Sequence, residues 1–468
     1  MSQNEAVKEK QKKIEPRRLK GFKDHLPGFM EVRSNFQNLI RQEALLAGFS
    51  EIGTPTLEYL ETLLGQGSEE TDKQVYRFED HGGRKVGLRF DLTIPFARFV
   101  AEHQSDLIFP FKRLQIGDVW RGENTQKGRY REFCQCDLDI IGVDSVGADF
   151  EVIACLYQTI AKFNTGGYAF RLGNRNILSS LIRKSFNLGE DIDQTPILIA
   201  LDKLDKIGTQ GVIDLLSKIA GSSSDAIGYL LQLLVNKDPD GNTDLVPVRS
   251  FLQGDEKATA ELDRFEQLYR LCRSISKGKS SEANPSTSAN EGEMHIDLSI
   301  ARGLGYYTGV VFETTLNLLP GFGSICSGGR YDDLAERFTT RSLPGVGGSI
   351  GLDRLLAGLE ELGRLPVVVP KKAFVAIVTA DALEYGNAIA TTLRKNGVAC
   401  DIGLTTGKVG LQFKHADRIG CPFVIVVGTD ELNSKTFNLK NMKTGEESKS
   451  HSFSQVVQIV KTAMSNIP

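Results

Sequence analysis

Between Phe29 and Gly48 the apolar residues Phe29, Val32, Phe36, Leu39, Ile40 and Leu46 recur at helical spacing, with Gly48 placed where a helix ends. A strand and a break at Pro55 follow. Residues 85–150 read as strands and one long turn: VGLRF, FKRLQIGDVWR, a polar loop GENTQKGRY, and REFCQCDLDIIG. That order predicts a long antiparallel hairpin rather than a βαβ unit. From about residue 175 to 272 the pattern turns helical, in LSSLIRKSFNL, GVIDLLSKIAG, AIGYLLQLL and ELDRFEQLYRLC. The following stretch, Ser274–Glu293, is rich in Ser, Ala, Asn, Gly and Glu; it cannot bury enough apolar surface to offset its ordering entropy, so it is expected to be a mobile linker.

Strand and turn signals resume with MHIDLSIARGLGYYTGVVFETTL and a Gly-rich GFGSICSGGRYDDL, then GVGGSIGLDRLLAGLEELG, helical from about Leu352. After VVVPKK the pattern alternates: strand FVAIVTA, helix ALEYGNAIATTLRKNG, strand ACDIGL, helix LQFKHADRIG, strand PFVIVVG, a polar hairpin through Lys443–Gly445 and a last helix. The expected organisation is a tail at 1–18, a first domain in two parts (19–174 and 294–365) interrupted by a helical insertion with its linker (175–293), and a small α/β domain at 371–468.

Composition changes this picture little. The 468 residues are too many for one core, and 40% hydrophobic with 25% charged residues is ordinary for a soluble globular chain. No apolar run reaches the roughly 18 residues of a membrane span, and the charged N-terminus has no signal-peptide pattern, so a cytoplasmic, non-membrane protein is expected. Seven cysteines without a CxxC pair suit a reducing compartment and argue against a zinc module; no metal ligands are expected. The net charge of −3 conceals an asymmetry: residues from Lys371 onward carry 12 Lys and Arg against 8 Asp and Glu, or +4, leaving −7 for the rest.

The stretch most informative about chemistry is WRGENTQKGRYREFCQCDLD, Trp120–Asp139. On its second strand the period of two sets Arg131, Phe133, Gln135, Asp137 and Asp139 on one face, and Glu132, Cys134, Cys136, Leu138 and Ile140 on the other. A face carrying Arg, an aromatic ring, an amide and carboxylates either meets solvent or lines a ligand site. The loop adds Lys127, Arg129 and Arg131 beside Glu123, as an anion site would.

Arg121, Glu123, Phe133 and Asp139 in this order resemble motif 2 of class II aminoacyl-tRNA synthetases. GFKDHLP, LRFDLTIPFAR, ARGLGYYTGVVFE, SGGRYDDL and GVGGSIGLDRL extend the resemblance to the histidyl-tRNA synthetases, and FKHADRIGCPFVIVVGTDE with NMKTGEE is similar to their anticodon-binding domain. The resemblance implies an α+β catalytic domain on an antiparallel sheet flanked by helices, with an all-helical insertion and a C-terminal α/β anticodon-binding domain. It implies ATP-dependent ligation of L-histidine to tRNA(His) through a histidyl-adenylate, Mg²⁺ accompanying ATP, and a homodimer to which helix 29–48 contributes. By the same resemblance Arg121 contacts the carboxylate and α-phosphate, Arg302 the α-phosphate, and Arg354 the γ-phosphate. Phe133 stacks on adenine and Glu123 reads its edge. Asp91, Leu92, Thr93 and Gln135 bind the histidine on its ammonium side, and Asp139 with Tyr306 and Tyr307 takes the imidazole. Guanidinium groups suit the task, because the attacking carboxylate and the phosphate are both anions and their planar fork pairs bidentately.

Bland readings stand beside these. Taken alone, Tyr306 and Tyr307 are ordinary strand formers, Gly328 and Gly329 make a turn, and Arg354 is a snorkelling surface residue. Two positions depart from the family pattern: Gly305 where Asp is usual, which would loosen the backbone at Tyr306, and Ser327 where a third Gly is common, neither removing a ligand contact. The alternative within the same ancestry is a regulatory subunit of ATP phosphoribosyltransferase; such paralogues lack the anticodon-binding domain and lose adenylate-site residues, and this chain keeps both. No GxxxxGK[ST] loop is present, and no HIGH or KMSKS pair.

Overall fold

The computed structural model describes residues 14–65, 69–220, 224–277, 292–303, 307–367 and 372–465. Residues 1–13 of the expected tail, 278–291 of the expected linker, and Leu304, Gly305 and Tyr306 lie outside the described residues. Two compact units emerge, 1–365 and 366–468.

The first unit opens with α1 (Pro27–Leu46), β1 (Ser50–Glu51), β2 (Leu57–Tyr59), α2 (Leu60–Leu63), α3 (Glu69–Gln74), β3 (Arg77–Glu79), β4 (Lys85–Leu88) and α4 (Thr93–Glu102). The long hairpin β5 (Phe111–Trp120) and β6 (Glu132–Ile141) leads to α5 (Val146–Ala161) and β7 (Tyr168–Asn174). Helices α6 (Arg175–Phe186), α7 (Thr195–Leu201), α8 (Leu204–Ala220), α9 (Ser224–Val235), α10 (Leu245–Leu252) and α11 (Glu256–Lys277) form the insertion. The chain then returns through β8 (Gly292–Ile296), β9 (Val310–Leu316), β10 (Cys326–Arg330), β11 (Gly345–Gly351) and α12 (Leu352–Glu361).

Eight strands make the main sheet in the order β1-β5-β6-β11-β10-β9-β7-β8. Every pairing from β5 to β7 is antiparallel, while the edge strands β1 and β8 pair parallel. Strands from either side of the helical insertion, β6 and β11, are thereby neighbours. One sheet face is covered by α1, α5 and α12. Cys134, Cys136, Leu138 and Ile140 are buried there, as their alternation on β6 requires.

Helix α1 buries Val32, Phe36, Ile40 and Ala44, a stripe four residues apart, but Leu46 is 84% exposed and plays no part in it. Helix α4 breaks the reading of 85–150 as strands and a turn. Pro95 looks like a breaker, yet it occupies the first turn, where no intrahelical N–H is needed, and Phe96, Ala97 and Val100 are buried. The region 274–293 also differs at both ends: α11 continues to Lys277 and β8 begins at Gly292. Cys272 on the buried face of α11 carries that helix toward the serine-rich segment.

The second unit is a five-stranded sheet, β13-β12-β14-β15-β16. It is built from β12 (Lys372–Ile377), α13 (Leu383–Lys395), β13 (Ala399–Ile402), α14 (Val409–Arg418), β14 (Phe423–Val427), α15 (Thr429–Ser434), β15 (Thr436–Asn441), β16 (Glu447–Ser452) and α16 (Phe453–Ser465). Its core gathers Val375, Ile377, Ile389, Leu393, Ile425, Phe437 and Val456. The short α15 has no apolar periodicity and escaped the sequence pattern; Glu431 caps it by accepting from the Gly428 N–H at 2.8 Å.

Candidate active site

The opposite face of the sheet carries the polar row, and register decides who stands there. Directly opposed residues of an antiparallel pair share a face. Asp139 opposes Arg113 on β5 and Gly347 on β11, and Gly347 opposes Gly329 on β10. Asp137 opposes Gln115 and Ser349, and the row continues through Ser327 and Glu313 to Arg171. The hairpin's polar face is thus a floor, closed in by loops, rather than a solvated strand surface.

The glycines on β10 and β11 are strand residues, not a turn. A Cβ on Gly347 would overlap Asp139 Oδ1, one on Gly329 would lie 2.8 Å from Tyr307 Cδ1, and one on Gly345 would lie 2.5 Å from Tyr331 Cε2. Their missing side chains are the space that the acid and the two rings occupy.

Arg113 is wholly buried. It donates to Asp139 Oδ2 at 2.5 Å, the Leu92 carbonyl at 2.6 Å and Gln115 Oε1 at 3.1 Å, with Asp137 Oδ2 3.4 Å away. The Tyr331 hydroxyl donates to Asp139 Oδ1 at 2.5 Å. Burial pushes Asp139 up to about 6, against the pull of Arg113 and with the neighbouring charge of Asp137 adding to the rise. Burial raises Asp137 too, opposed by Arg113 and a hydrogen bond from Ser349. It raises Asp91, opposed by the Ile94 N–H and Arg121. Tyr307 is raised by burial and then by the carboxylates of Asp137, Asp139 and Asp91.

Among the described residues, three acceptors on this floor are buried without a hydrogen-bond partner: Gln135 Oε1, Asp137 Oδ1 and, at the far end of its row, Glu313 Oε2. The Gln135 amide nitrogen is already committed to Ser349 Oγ at 3.0 Å, so its oxygen is the end left for a ligand. Asp91 and Asp137 act on each other's charge, and the cations that face these acceptors are Arg121 and the buried Arg113.

Beyond the pocket stand the arginines. Arg121 donates through Nε to the Phe90 carbonyl at 3.1 Å and lies 4.3 Å from the Phe90 ring centre and 5.1 Å from that of Phe133. Burial lowers its pKa, offset by Asp91 and Glu123 and reinforced by Arg129. Arg354, in the first turn of α12, donates to the Phe322 carbonyl and packs 5.0 Å from the Phe322 ring, so it is half-buried rather than a snorkelling surface residue. Its pKa is lowered by burial and then by repulsion from Arg129 and Arg302. Arg354 thus feels the charge of two other guanidinium groups, a clustering that a bound anion would relieve.

Of the loop cations, only Arg129 joins this group, 3.4 Å from Glu123 Oε2. Lys127 pairs with Glu361 at 2.9 Å, and Arg131 donates to the carbonyls of Glu123 and Lys20 at 3.2 and 3.4 Å. The expected three-cation anion site is therefore corrected to one loop arginine, because the other two are spent on holding the loop. Leu92 is fully buried and contributes through its backbone; Thr93 begins α4 beside it. Residues that the motif reading left without a role are Arg113, Asp137 and Tyr331. Alternation had already put Asp137 on the ligand face, whereas Arg113 and Tyr331 needed the register.

A largely antiparallel sheet whose hairpin and helix α12 bring arginines beside an acceptor-lined pocket is the arrangement expected of a class II aminoacyl-tRNA synthetase. The histidyl-tRNA synthetase family profile matches residues 21–355, and an anticodon binding domain profile matches residues 368–463. The histidine–tRNA ligase of Rhodopirellula baltica is 43% identical over 434 residues, 92% of this chain and 95% of that protein. The histidine–tRNA ligase of Helicobacter hepaticus is 38% identical over 454 residues, covering 96% and 99%. Among solved structures, a histidyl-tRNA synthetase from a Nostoc species aligns with a TM-score of 0.81 at 29% identity, over 96% of this chain and 100% of that one. A Bacillus halodurans protein described as an ATP phosphoribosyltransferase regulatory subunit/histidyl-tRNA synthetase aligns at 0.70 and 24% identity, over 89% and 99%, and shares the fold. The chain belongs to the histidyl-tRNA synthetase family.

Proposed function

We infer that the protein activates L-histidine with ATP and transfers it to tRNA(His). The observation that carries this reading is the pairing of unmatched buried acceptors, Gln135 Oε1 and Asp137 Oδ1, with the neighbouring group of Arg129, Arg302 and Arg354. An ammonium needs acceptors and a triphosphate needs cations. Asp91, Gln135 and Asp137 take the α-ammonium, with Leu92 and Thr93 shaping that wall. Ionised Asp139 accepts from an imidazole N–H, with Tyr307 beside it and Tyr306 assigned to the same ring by the family resemblance alone. A buried polar pocket of this kind rejects amino acids lacking the matching groups by about 10⁴–10⁵.

Arg121 orients the carboxylate of histidine against the α-phosphate, and Arg302 neutralises the charge that grows there as the carboxylate oxygen attacks and pyrophosphate leaves. Arg354 and Arg129 hold the outgoing phosphates. Adenine stacks on Phe133 with Glu123 at its edge. The terminal ribose hydroxyl of tRNA then attacks the adenylate carbonyl and releases AMP. Mg²⁺ is expected on the triphosphate; among the described residues no group of three His, Cys, Asp or Glu could hold a metal, and no step here is routed through one.

A homodimer is supported by the exposed Leu45 and Leu46 on α1, at 50% and 84%, and by Leu57, Tyr59 and Phe78 on the three-stranded sheet β2-β4-β3. A cytoplasmic location is supported by seven free cysteines and, among the described residues, by the lack of a helix able to cross a membrane. The regulatory-subunit alternative is disfavoured by the retained arginines and the matched anticodon-binding domain. Histidine-dependent exchange of pyrophosphate into ATP, followed by charging of tRNA(His), tests the assignment; absence of exchange refutes it.

A further inference from the structure

Glu313 and Arg171 take no part in the chemistry above, yet they end the same cross-strand row that holds Asp137 and Ser349. Glu313 is 3% exposed, a depth at which a carboxylate is costly without cations. It faces two. Arg171, directly opposite on β7, donates through Nη2 to Glu313 Oε1. Arg302 brings Nε to 2.9 Å from Glu313 Oε2, an ion pair by distance whose N–H is not aligned as a hydrogen bond. Arg171 is itself tied down, donating through Nη1 to Asp297 Oδ2 at 3.1 Å, with Asp205 of α8 3.7 Å away. Glu313 is therefore held on one side by rigid sheet and offers its other oxygen to Arg302.

Arg302 needs such a hold. It stands on chain without regular secondary structure, its side chain is 49% exposed, and a free arginine carries about 2 kcal/mol of rotamer entropy. An ion pair at Nε leaves both Nη groups available, which is the half of the fork that grips a phosphate. We propose that Glu313 is a positioning residue for amino-acid activation: anchored by Arg171, it pins Arg302 through Nε so that the two Nη groups meet the α-phosphate. This rests on the assignment of Arg302 to the α-phosphate.

A double-mutant cycle on the full-length protein separates the two ideas. Glu313→Gln, close in shape, is measured by histidine-dependent pyrophosphate exchange in the parent and in the Arg302→Ala background. Displacement of a charge-stabilising group by about 1 Å costs on the order of 10²-fold in rate, so Glu313→Gln should lower kcat by about 10- to 100-fold while leaving KM for histidine within about twofold. In the Arg302→Ala background the same substitution should change kcat by less than about twofold. Equal losses in both backgrounds, or a loss in KM for histidine alone, overturn the inference while leaving the role of Arg302 intact. An Arg302→Ala protein with parental exchange removes the assignment and the inference with it. If Glu313→Gln does not fold, Glu313→Asp, which keeps the charge on a shorter arm, is carried through the same cycle with the same expected and refuting outcomes.

Discussion

Removing one hydroxyl from Tyr331 should move the pH dependence of histidine activation. Tyr331 is 2% exposed and its hydroxyl donates to Asp139 Oδ1 at 2.5 Å, stabilising the ionised acid. Asp139 sits at about 6 with that bond in place. A hydrogen bond to a charged group contributes about 1.5–3 kcal/mol, and 1.36 kcal/mol corresponds to one pH unit, so Tyr331→Phe should carry the acid to about 7–8. Only the ionised acid accepts from the imidazole. The acidic limb of kcat/KM for histidine, measured by pyrophosphate exchange from pH 5.5 to 8.5, should shift upward accordingly. At pH 6 the variant should be about 5- to 50-fold below the parent, and near pH 8.5 the two should nearly coincide. The substrate's own imidazole titrates identically with both proteins and cancels in the comparison. A limb that stays put, moves down, or a deficit that is the same at every pH would refute the reasoning and mean that the hydroxyl acts other than through Asp139.

Other substitutions probe the remaining parts. Gly347→Ala places a methyl on Asp139 Oδ1 and should cut kcat/KM for histidine by about 10²-fold while ATP binding, followed by equilibrium dialysis, holds. Phe133→Ala removes the ring proposed to stack on adenine, a contact of about 1–3 kcal/mol, and should weaken ATP by roughly 5- to 150-fold, read as KM for ATP with KM for histidine little changed. Ile40→Ala, in the buried stripe of α1, should lose about 2–5 kcal/mol in urea unfolding. Asp139 holds a proton in the folded chain at pH values where the unfolded chain has lost it. Its contribution to stability is full below its ordinary value near 3.8 and declines as pH rises through about 6, so between pH 5 and 7 the parent's Tm should fall relative to Asp139→Asn.

What could be read before folding was whatever lies close in sequence. The hairpin, the apolar stripe of α1 and the alternation of the second unit are local periodicities, and they appear as β5–β6, α1 and β12–α14. Helix α4 lies inside a region whose pattern the hairpin strands dominate, and its Pro95 falls in the first turn, where a proline is accommodated. The motif residues Arg121, Gln135, Asp139, Tyr307 and Arg354 announce themselves by type and order. Arg113 and Tyr331 do not: an arginine inside FKRLQIG reads as a strand-edge cation until it is opposed to Asp139, and Tyr331 meets Asp139 across a separation of 192 residues. The loop cations mislead for the converse reason, since proximity in sequence says nothing about Lys127 turning toward Glu361.

The absent side chains of β10 and β11 have a genetic consequence. Every missense change one nucleotide away from a glycine codon yields a residue with a Cβ, and at Gly328, Gly329, Gly345, Gly347 and Gly348 that atom collides with backbone, a ring, an aliphatic side chain or the acid. These codons have no mild neighbour. Whatever variation this gene tolerates must flow around them, and a coding change found at any of the five should be read first as a lesion.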